Sequence, residues 1–169
     1  MIIRPAHPHE VEAIRALFAS EVAAGRMLPR AAHDIRARLD DWLVAEEHGA
    51  VAGCVSLVQF NPALCEVRSL AVDPACRGRG IASALVREAL AMAERRGMER
   101  VLVLTRAASL FEKLGFRRDF VANFPEKVWR DCAPCPFRHA CDEIALIYPI
   151  REPARTPYLE KEPTVARRS

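Results

Sequence analysis

The sequence predicts an α/β fold, because short apolar runs typical of strands alternate along the chain with segments of helical periodicity. The clearest case is the β-branched and aliphatic run at 67–72, which is followed from Ile81 by apolar residues at helical spacing. Asp73-Pro74 ends this strand, and Arg77-Gly78-Arg79-Gly80 leads into the helix. A chain of 169 residues, with 51% apolar and 28% charged residues, is typical of one globular domain with a buried core.

The first sixty residues predict a strand, two helices and a hairpin. The strand lies at 2–4, and the hairpin has arms at 42–45 and 51–60 that turn at Glu47-His48-Gly49. Asn61-Pro62 ends the second arm. The helices are predicted by apolar faces, formed by Val11, Ile14, Leu17, Phe18 and Val22 before a terminal Gly25, and by Ile35, Leu39 and Trp42.

The second half of the chain continues the alternation. The long helix from Ile81 has apolar residues up to Ala93, and Gly97 stands where a helix commonly ends. A short helix at 108–114 is ended in the same way by Gly115. Extended segments are predicted at 101–104, from Phe116 onward, and at 144–150.

Charge and hydropathy argue against two classes of function. The chain has 25 Lys and Arg against 22 Asp and Glu, and a net charge of +3 without a basic stripe does not favour nucleic-acid binding. No apolar segment is long enough to span a bilayer, and Met1–Pro5 is not typical of a signal peptide. We therefore expect a cytoplasmic protein that binds neither nucleic acid nor membrane. We expect a loosely ordered tail at 151–169, where three prolines occur without apolar periodicity.

The glycine-rich loop at 77–80 predicts a phosphate-binding element. Glycine lets the backbone approach a ligand closely, and a helix start offers free N–H groups and the positive end of a dipole. A dinucleotide-binding fold uses a similar loop, but it requires glycine or alanine where Ser83 stands. It also requires an acidic residue after the next strand, where Thr105 and Arg106 stand. The dinucleotide interpretation is therefore weak.

The segment Leu70-Ala71-Val72-Asp73-Pro74, followed by Arg77-x-x-Gly80-x-Ala82, resembles the acetyl-CoA loop of the GNAT N-acetyltransferases. The resemblance covers about residues 1–150 and implies one GNAT domain, with a mixed central sheet flanked by helices and acetyl-CoA as co-substrate. It also implies that the backbone of Leu70, Ala71 and Val72 pairs with the pantetheine amides. The pyrophosphate would be bound by the backbone amides of Arg77, Gly78, Arg79, Gly80, Ile81, Ala82 and Ser83.

A second motif of this family is a tyrosine followed by Glu-Lys-x-Gly-Phe. The sequence has Phe111-Glu112-Lys113-Leu114-Gly115-Phe116, so Phe111 stands where the tyrosine is expected. A phenol there would protonate the departing CoA thiolate. Phe111 supplies no proton, so the thiolate leaves unaided, as its modest pKa allows, or another group donates.

Further segments resemble the N-acetylglutamate synthases, which make the first committed intermediate of arginine biosynthesis. They are Gly25 to Arg30, Val44 to Glu46, Gly53-Cys54, Val101 to Thr105, and Phe124-Pro125-x-Lys127. This resemblance implies transfer of an acetyl group to the α-amine of L-glutamate. Many of those enzymes carry an amino-acid-kinase domain in front, for which 169 residues leave no room. We therefore expect the short, stand-alone form, to which arginine feedback through a kinase domain does not carry over.

Acetyl transfer to an amine needs a group that takes up the ammonium proton, and Glu66 is the candidate. The family's catalytic glutamate, where it has one, stands at this position relative to Leu-Ala-Val. The alternative is an exposed carboxylate at a strand start with no task. Arg68 lies two residues further on and projects from the same face of the strand.

The substrate carboxylates call for cations, and arginine binds a carboxylate through two parallel hydrogen bonds. Arg68 is one candidate, although a surface arginine paired with a neighbouring acid is an almost equal alternative. Arg30 and Lys127 belong to loops that would overhang the same cleft in this fold. Together the three cations would match the two carboxylates of glutamate.

The cysteines are expected to be reduced in a cytoplasmic protein, and Cys54, Cys65 and Cys76 are scattered like small apolar residues. Cys132, Cys135, His139 and Cys141 form a cluster of metal-ligand types within ten positions. Zinc sites usually add a second, distant pair of ligands, so we expect no metal and keep this cluster as a weak candidate. A packed, reduced loop and a Cys-x-x-Cys redox pair are the alternatives.

Two other functions stay open at this point. The same fold could acetylate another amino acid, a polyamine or a protein N-terminus. A non-catalytic acyl-CoA-binding module is a rival from another class, because the expected tyrosine is absent. A homodimer is compatible with the sequence, which contains no evidence on oligomeric state.

Overall fold

The computed structural model describes residues 1–151, which form seven strands and six α-helical segments. The strands are β1 (Ile2–Pro5), β2 (Trp42–Glu47), β3 (Ala50–Gln59), β4 (Leu64–Val72), β5 (Arg100–Thr105), β6 (Arg117–Asp119) and β7 (Ile144–Pro149). The helices are α1 (Val11–Leu17), α2 (Ala19–Ala23), α3 (Ala32–Ala37), α4 (Ile81–Arg95), α5 (Ala108–Lys113) and α6 (Pro125–Lys127). The tail predicted at 151–169 lies outside the described residues, apart from Arg151.

The strands form one mixed sheet in the order β1-β2-β3-β4-β5-β7-β6. Neighbouring strands are antiparallel except β4 and β5, which are parallel and are connected through α4. Helix α4 packs on one face of the sheet, where Leu85, Val86 and Ala89 are fully buried. Helices α1 and α3 cover the other face through Ile14 and Ile35. The predicted mixed sheet flanked by helices is therefore confirmed.

The parallel pair β4–β5 is short, and this positions the functional site. Among the described residues, the ladder joins only Leu64–Glu66 to Arg100–Leu102. Beyond it, β4 continues to Val72 and β5 to Thr105 without pairing with each other, so the two strands separate and leave a cleft. At the same level β4 bulges away from β3, because the register shifts between Cys54 and Ser56. Ser69 lies in this bulge with a left-handed φ of 51°.

The predicted hairpin is confirmed, and its turn has the backbone that a two-residue loop requires. Strands β2 and β3 are joined at His48 and Gly49, with φ values of 50° and 78°. Positive φ at both central residues defines a type I′ turn, whose twist matches that of the flanking strands.

Two details of the predicted helices were wrong. The single helix predicted to continue to Val22 is interrupted at Phe18, whose backbone leaves the helical region (φ −114°, ψ 9°) and whose ring is buried. Trp42, predicted both on the face of the second helix and at the start of the first hairpin arm, begins β2, so only its place on the helix was wrong. Trp42 packs in the same apolar cluster as Ile35 and Leu39. The three residues therefore have the spacing of a helix face, although the chain passes between them from a helix through a turn into a strand. Among residues 1–151, no helix is long and apolar enough to cross a membrane.

Candidate active site

A cavity of about 860 Å³ occupies the cleft between the separated ends of β4 and β5. Its walls include Leu70, Ala71 and Val72 on one side and Leu104 and Thr105 on the other. The four residues predicted to bind or activate the acceptor all line it, namely Arg30, Glu66, Arg68 and Lys127. Residues far apart in sequence thus meet at one place, because the sheet opens there.

The glycine-rich loop has the geometry expected of an acetyl-CoA site. Gly78 and Gly80 have φ values of 76° and 81°, and apart from each glycine's immediate chain neighbours no described atom lies within 4 Å of the position that a Cβ would occupy. The first intrahelical hydrogen bond of α4 runs from the amide of Ala84 to the carbonyl of Gly80. The amides before Ala84 therefore have no intrahelical acceptor and are available to an anion at the helix start.

The side chains of this loop differ in position. Arg77 and Ala82 line the cavity, whereas the side chain of Ile81 is buried in the core. The guanidinium of Arg79 lies 2.8 Å from a carboxylate oxygen of Glu47. Ile81 and Arg79 can therefore serve the cofactor through their backbone amides, as the sequence predicts for the whole loop.

Glu66 is the third residue of β4 and is only 2% exposed, so the alternative of an exposed carboxylate at the strand start was wrong. Lys127 Nζ lies 2.8 Å from Glu66 Oε1 and 3.1 Å from Oε2. Arg68 Nε donates to Oε2 as well. Both carboxylate oxygens are thus engaged by cations.

Lys127 ends helix α6 rather than lying in an open loop, and it is 8% exposed. It is followed by a π-helical turn, Val128–Cys132, which carries Asp131. Asp131 accepts from Arg68 Nη2 and lies 3.4 Å from Lys127 Nζ. Burial raises the pKa of Asp131, but the charges of Arg68 and Lys127 outweigh this effect and hold the pKa below its ordinary value. Glu66, Arg68, Lys127 and Asp131 form a four-charge network, and a third cation, Arg130, lies beside it with its Nε 3.4 Å from Asp131 Oδ1.

Arg30 lies in the loop between α2 and α3 and differs from the other two cations. Its Nε donates to Ser69 Oγ over 3.3 Å, and within residues 1–151 no carboxylate oxygen lies within 4.0 Å of its guanidinium. Burial lowers the pKa of Arg30, and the nearby charge of Arg68 lowers it further. An anion bound beside Arg30 would oppose both effects, because a nearby negative charge favours the charged guanidinium.

Three contributors to the site were missed from sequence. Ser69 is placed by the β-bulge, and Glu143 lines the cavity just before β7. Neither has a sequence signal, because both positions depend on how strands are arranged. Asp131 did have a sequence signal, since it follows Lys127 by four residues, which is the spacing of ion pairs on a helix.

Phe111 lies on the cavity wall, as the motif predicts, and its ring is buried. It packs edge-to-face on Phe116 with a centroid distance of 5.2 Å. The residue therefore supplies packing and no polar group.

The cysteine-rich segment overhangs the cavity, which Cys132, Cys135 and Cys141 all line. In the described chain, no three His, Cys, Asp or Glu side chains, including those of His139 and the three cysteines, are grouped to hold a metal ion. All six cysteines are free thiols. Burial raises the pKa of the Cys132 thiol, which disfavours the reactive thiolate.

Comparison with known proteins decides the family. The model of the acetyltransferase (GNAT) family matches residues 10–116. The chain belongs to this family. It is an N-acetyltransferase, and acetyl-CoA is its co-substrate.

Two curated relatives are similar over most of this acetyltransferase. An uncharacterized N-acetyltransferase of Chlorobaculum tepidum is 37% identical over 145 residues, which are 86% of this chain and 94% of the relative. An amino-acid acetyltransferase of Mycobacterium tuberculosis is 34% identical over 119 residues, 68% of this chain and 67% of the relative. Among solved structures, Rv2747 of M. tuberculosis in complex with CoA and NLQ superposes with a TM-score of 0.76. It is 26% identical, and the match covers 89% of this chain and all of that one.

Proposed function

We propose that this acetyltransferase transfers the acetyl group of acetyl-CoA to the α-amine of L-glutamate, giving N-acetyl-L-glutamate for arginine biosynthesis. The observation that carries the proposal is Arg30, a half-buried guanidinium on the wall of the acyl-transfer cavity with no carboxylate within 4.0 Å among the described residues. Burying a cation without an anionic partner is costly, and a substrate carboxylate would compensate that cost. The amino-acid acetyltransferase from M. tuberculosis supports an amino acid as acceptor.

The other residues of the cavity would bind the cofactor and the second carboxylate of the substrate. The backbone of Leu70 to Val72 and the amides at the start of α4 would hold the cofactor, at the edge of the same cavity. Arg68 and Lys127 already share Glu66 and Asp131, so they would offer the second substrate carboxylate only the donors that this network leaves over. Arg30 therefore contributes the largest share of carboxylate binding in this proposal.

The chemical step needs a free amine held close to the thioester carbonyl. Glu66 as proton acceptor stays a prediction from sequence. Phe111 lines the cavity without a proton to give, so the proposal lets the thiolate leave unaided. A cytoplasmic location and a homodimer likewise stay predictions.

The test is an acceptor screen with acetyl-CoA and single amines, following thiol release and identifying products by mass spectrometry. We expect N-acetylglutamate as the main product, with glutamine and aspartate as weaker acceptors. A preference for a polyamine, a peptide N-terminus or another amino acid would contradict glutamate as the substrate but would support the proposed acetyl transfer. CoA binding without turnover on any amine would contradict the proposal and favour an acyl-CoA-binding module.

A further inference from the structure

Glu143 is a carboxylate in the cavity to which neither motif nor family resemblance assigned a task. It stands directly before β7, whose first residue, Ile144, pairs with Thr105 at the end of β5. Its side chain is 33% exposed and lines the cavity beside Arg106.

The register of the sheet places Glu143 level with the bulge of β4. The last β4–β5 pair joins Glu66 to Leu102, and both strands run onward in the same direction. Ser69 lies three residues beyond Glu66, and Thr105 lies three residues beyond Leu102. Since a strand rises by about 3.3 Å per residue, the bulge and the start of β7 both lie about 10 Å beyond Glu66. The cavity wall that would hold the pantetheine, from Leu70 onward, begins at this level.

The two carboxylates also differ in their contacts. Proton uptake by Glu66 would disrupt ion pairs with Lys127 and Arg68, because both of its oxygens are engaged. Within residues 1–151, no donor hydrogen-bonds to Glu143, and the closest cation, Arg106 Nη1, is 3.8 Å away. Glu143 therefore keeps free lone pairs for a ligand or a proton.

The electrostatic surroundings of Glu143 also suit a proton acceptor. Burial raises its pKa above the ordinary value, the charges of Arg106 and Lys127 act in the opposite direction, and those of Glu66 and Asp142 reinforce burial. A carboxylate whose pKa moves toward the working pH is a more effective general base than an unshifted one.

We infer that Glu143 receives the ammonium group of the acceptor and takes its proton, directly or through one water molecule. This inference rests on the proposed acyl transfer and adds a catalytic residue to it. One ammonium proton goes to Glu143, and the free amine then forms the C–N bond with the acetyl carbonyl. The C–S bond breaks, its electron pair stays on sulfur, and the second proton lost by the nitrogen ends on the CoA thiol. Glu143 then releases its proton to solvent.

The test compares pH profiles of kcat/KM from about pH 5 to about pH 9, measured with the best acceptor of the wild-type enzyme. We expect Glu143→Gln to lower kcat by about 10²–10⁴-fold and to remove the acidic limb of the profile, without changing KM for acetyl-CoA. Glu143→Asp should restore the acidic limb, because the carboxylate is retained. Glu88→Gln is the matched control, since it makes the same change at a carboxylate that pairs with Arg95 on α4 and does not line the cavity, and it should keep both rate and profile.

Three results would overturn the inference. One is an acidic limb that persists in Glu143→Gln and disappears in Glu66→Gln. Another is an equal loss of rate in Glu88→Gln, which would indicate a general effect of charge. The third is a wild-type enzyme that acetylates no amine, which would overturn the proposed function as well. A preference for an amine other than glutamate would contradict only the proposed substrate, and the same variants would then be measured with that amine.

Discussion

Arg30 and Arg68 illustrate how much the role of a side chain depends on its partners. Both are arginines on the wall of one cavity, and sequence alone assigned them the same task. Arg68 is held by Glu66 and Asp131, whereas Arg30 donates only to a serine hydroxyl among the described residues. The expected effects of substitution therefore differ, because Arg68 also stabilises the fold and Arg30 is left for the ligand.

We expect Arg30→Ala to raise KM for glutamate while KM for acetyl-CoA stays unchanged. Loss of one partner of a buried charge pair typically costs about 2–5 kcal/mol of binding, which is roughly 30-fold or more in KM. Steady-state kinetics with glutamate and glutamine measure the effect, and Arg36→Ala, an exposed arginine of α3 outside the cavity, is the control. An unchanged preference for glutamate over glutamine in Arg30→Ala would show that carboxylate binding lies elsewhere.

Glu10 is a buried carboxylate outside the active site, and its partners predict a pH dependence of stability. Arg4 Nη2 donates to Oε1 over 2.6 Å, and the amide of His7 donates to Oε2 over 2.7 Å. The hydrogen bond from Arg4 is the main cause that lowers the pKa of Glu10 to about 2, against an opposing effect of burial. Because the folded pKa is depressed, the stabilisation is complete above the unfolded value of 4.5 and is lost as pH falls toward 2.

We therefore expect Glu10→Gln to lower the free energy of unfolding at pH 7 by about 1.5–3 kcal/mol, the usual contribution of a hydrogen bond to a charged group. The difference in the free energy of unfolding between this variant and wild type should shrink when urea unfolding is measured at about pH 3. Glu12→Gln is the control, since Glu12 is exposed and its pair with Arg15 should contribute little. A difference that is the same at both pH values would mean that the charge of Glu10 does not contribute.

At the residue scale, the site residues that could be predicted from sequence are those that belong to a motif. Arg30, Glu66, Arg68 and Lys127 could be grouped from sequence, because each belongs to a motif whose place in the fold is known. Glu143 could not, since nothing local indicates that the residue before β7 lies level with the bulge of β4. The burial of Glu66 was missed for the same reason, because it depends on Lys127 from a distant segment.

At the scale of elements, periodicity predicted which segments are helices and strands better than where they end. Helix α4 was predicted within two residues, since its apolar face is continuous and Gly97 adopts a φ of 73° directly after its last turn. The bulge at Ser69 left no trace in the alternation of β4, because one added residue changes neither composition nor spacing visibly. The break at Phe18 was hidden for a related reason, since α1 and α2 continue one apolar face.

The predicted role of the loop before α4 in CoA binding can be tested by substitution. Gly80→Val should abolish CoA binding, because a β-branched residue disfavours a φ of 81° and its side chain would fill the open space where the pyrophosphate is expected. Calorimetric titration with CoA on the folded variant measures the loss. Gly97→Val imposes similar backbone strain at the far end of the same helix and should keep wild-type affinity. Retained affinity in Gly80→Val would remove the loop from the cofactor site.

At the scale of the whole molecule, the four-charge network joins two parts of the chain that share few apolar contacts. Glu66 and Arg68 belong to the central strand β4, whereas Lys127 and Asp131 belong to the segment that carries the cysteine-rich loop over the cavity. The apolar cluster on that side is small, with Phe124 as its anchor against Leu64 and Leu102. We therefore expect the charges to help hold residues 121–141, the roof of the cavity, onto the sheet.

Asp131→Asn should loosen this roof without disturbing the cofactor side. The substitution removes an anion from Arg68 and Lys127 and leaves their positive charges imperfectly compensated, so we expect a loss of about 1.5–3 kcal/mol in the free energy of unfolding. Hydrogen exchange should become faster in residues 121–141, while the amides of α4 keep their protection, because local opening follows the weakest contacts. Asp142→Asn removes a carboxylate of an exposed pair and should change neither quantity appreciably. Uniform acceleration across the whole chain in Asp131→Asn would show that the network stabilises the fold globally rather than the roof of the cavity.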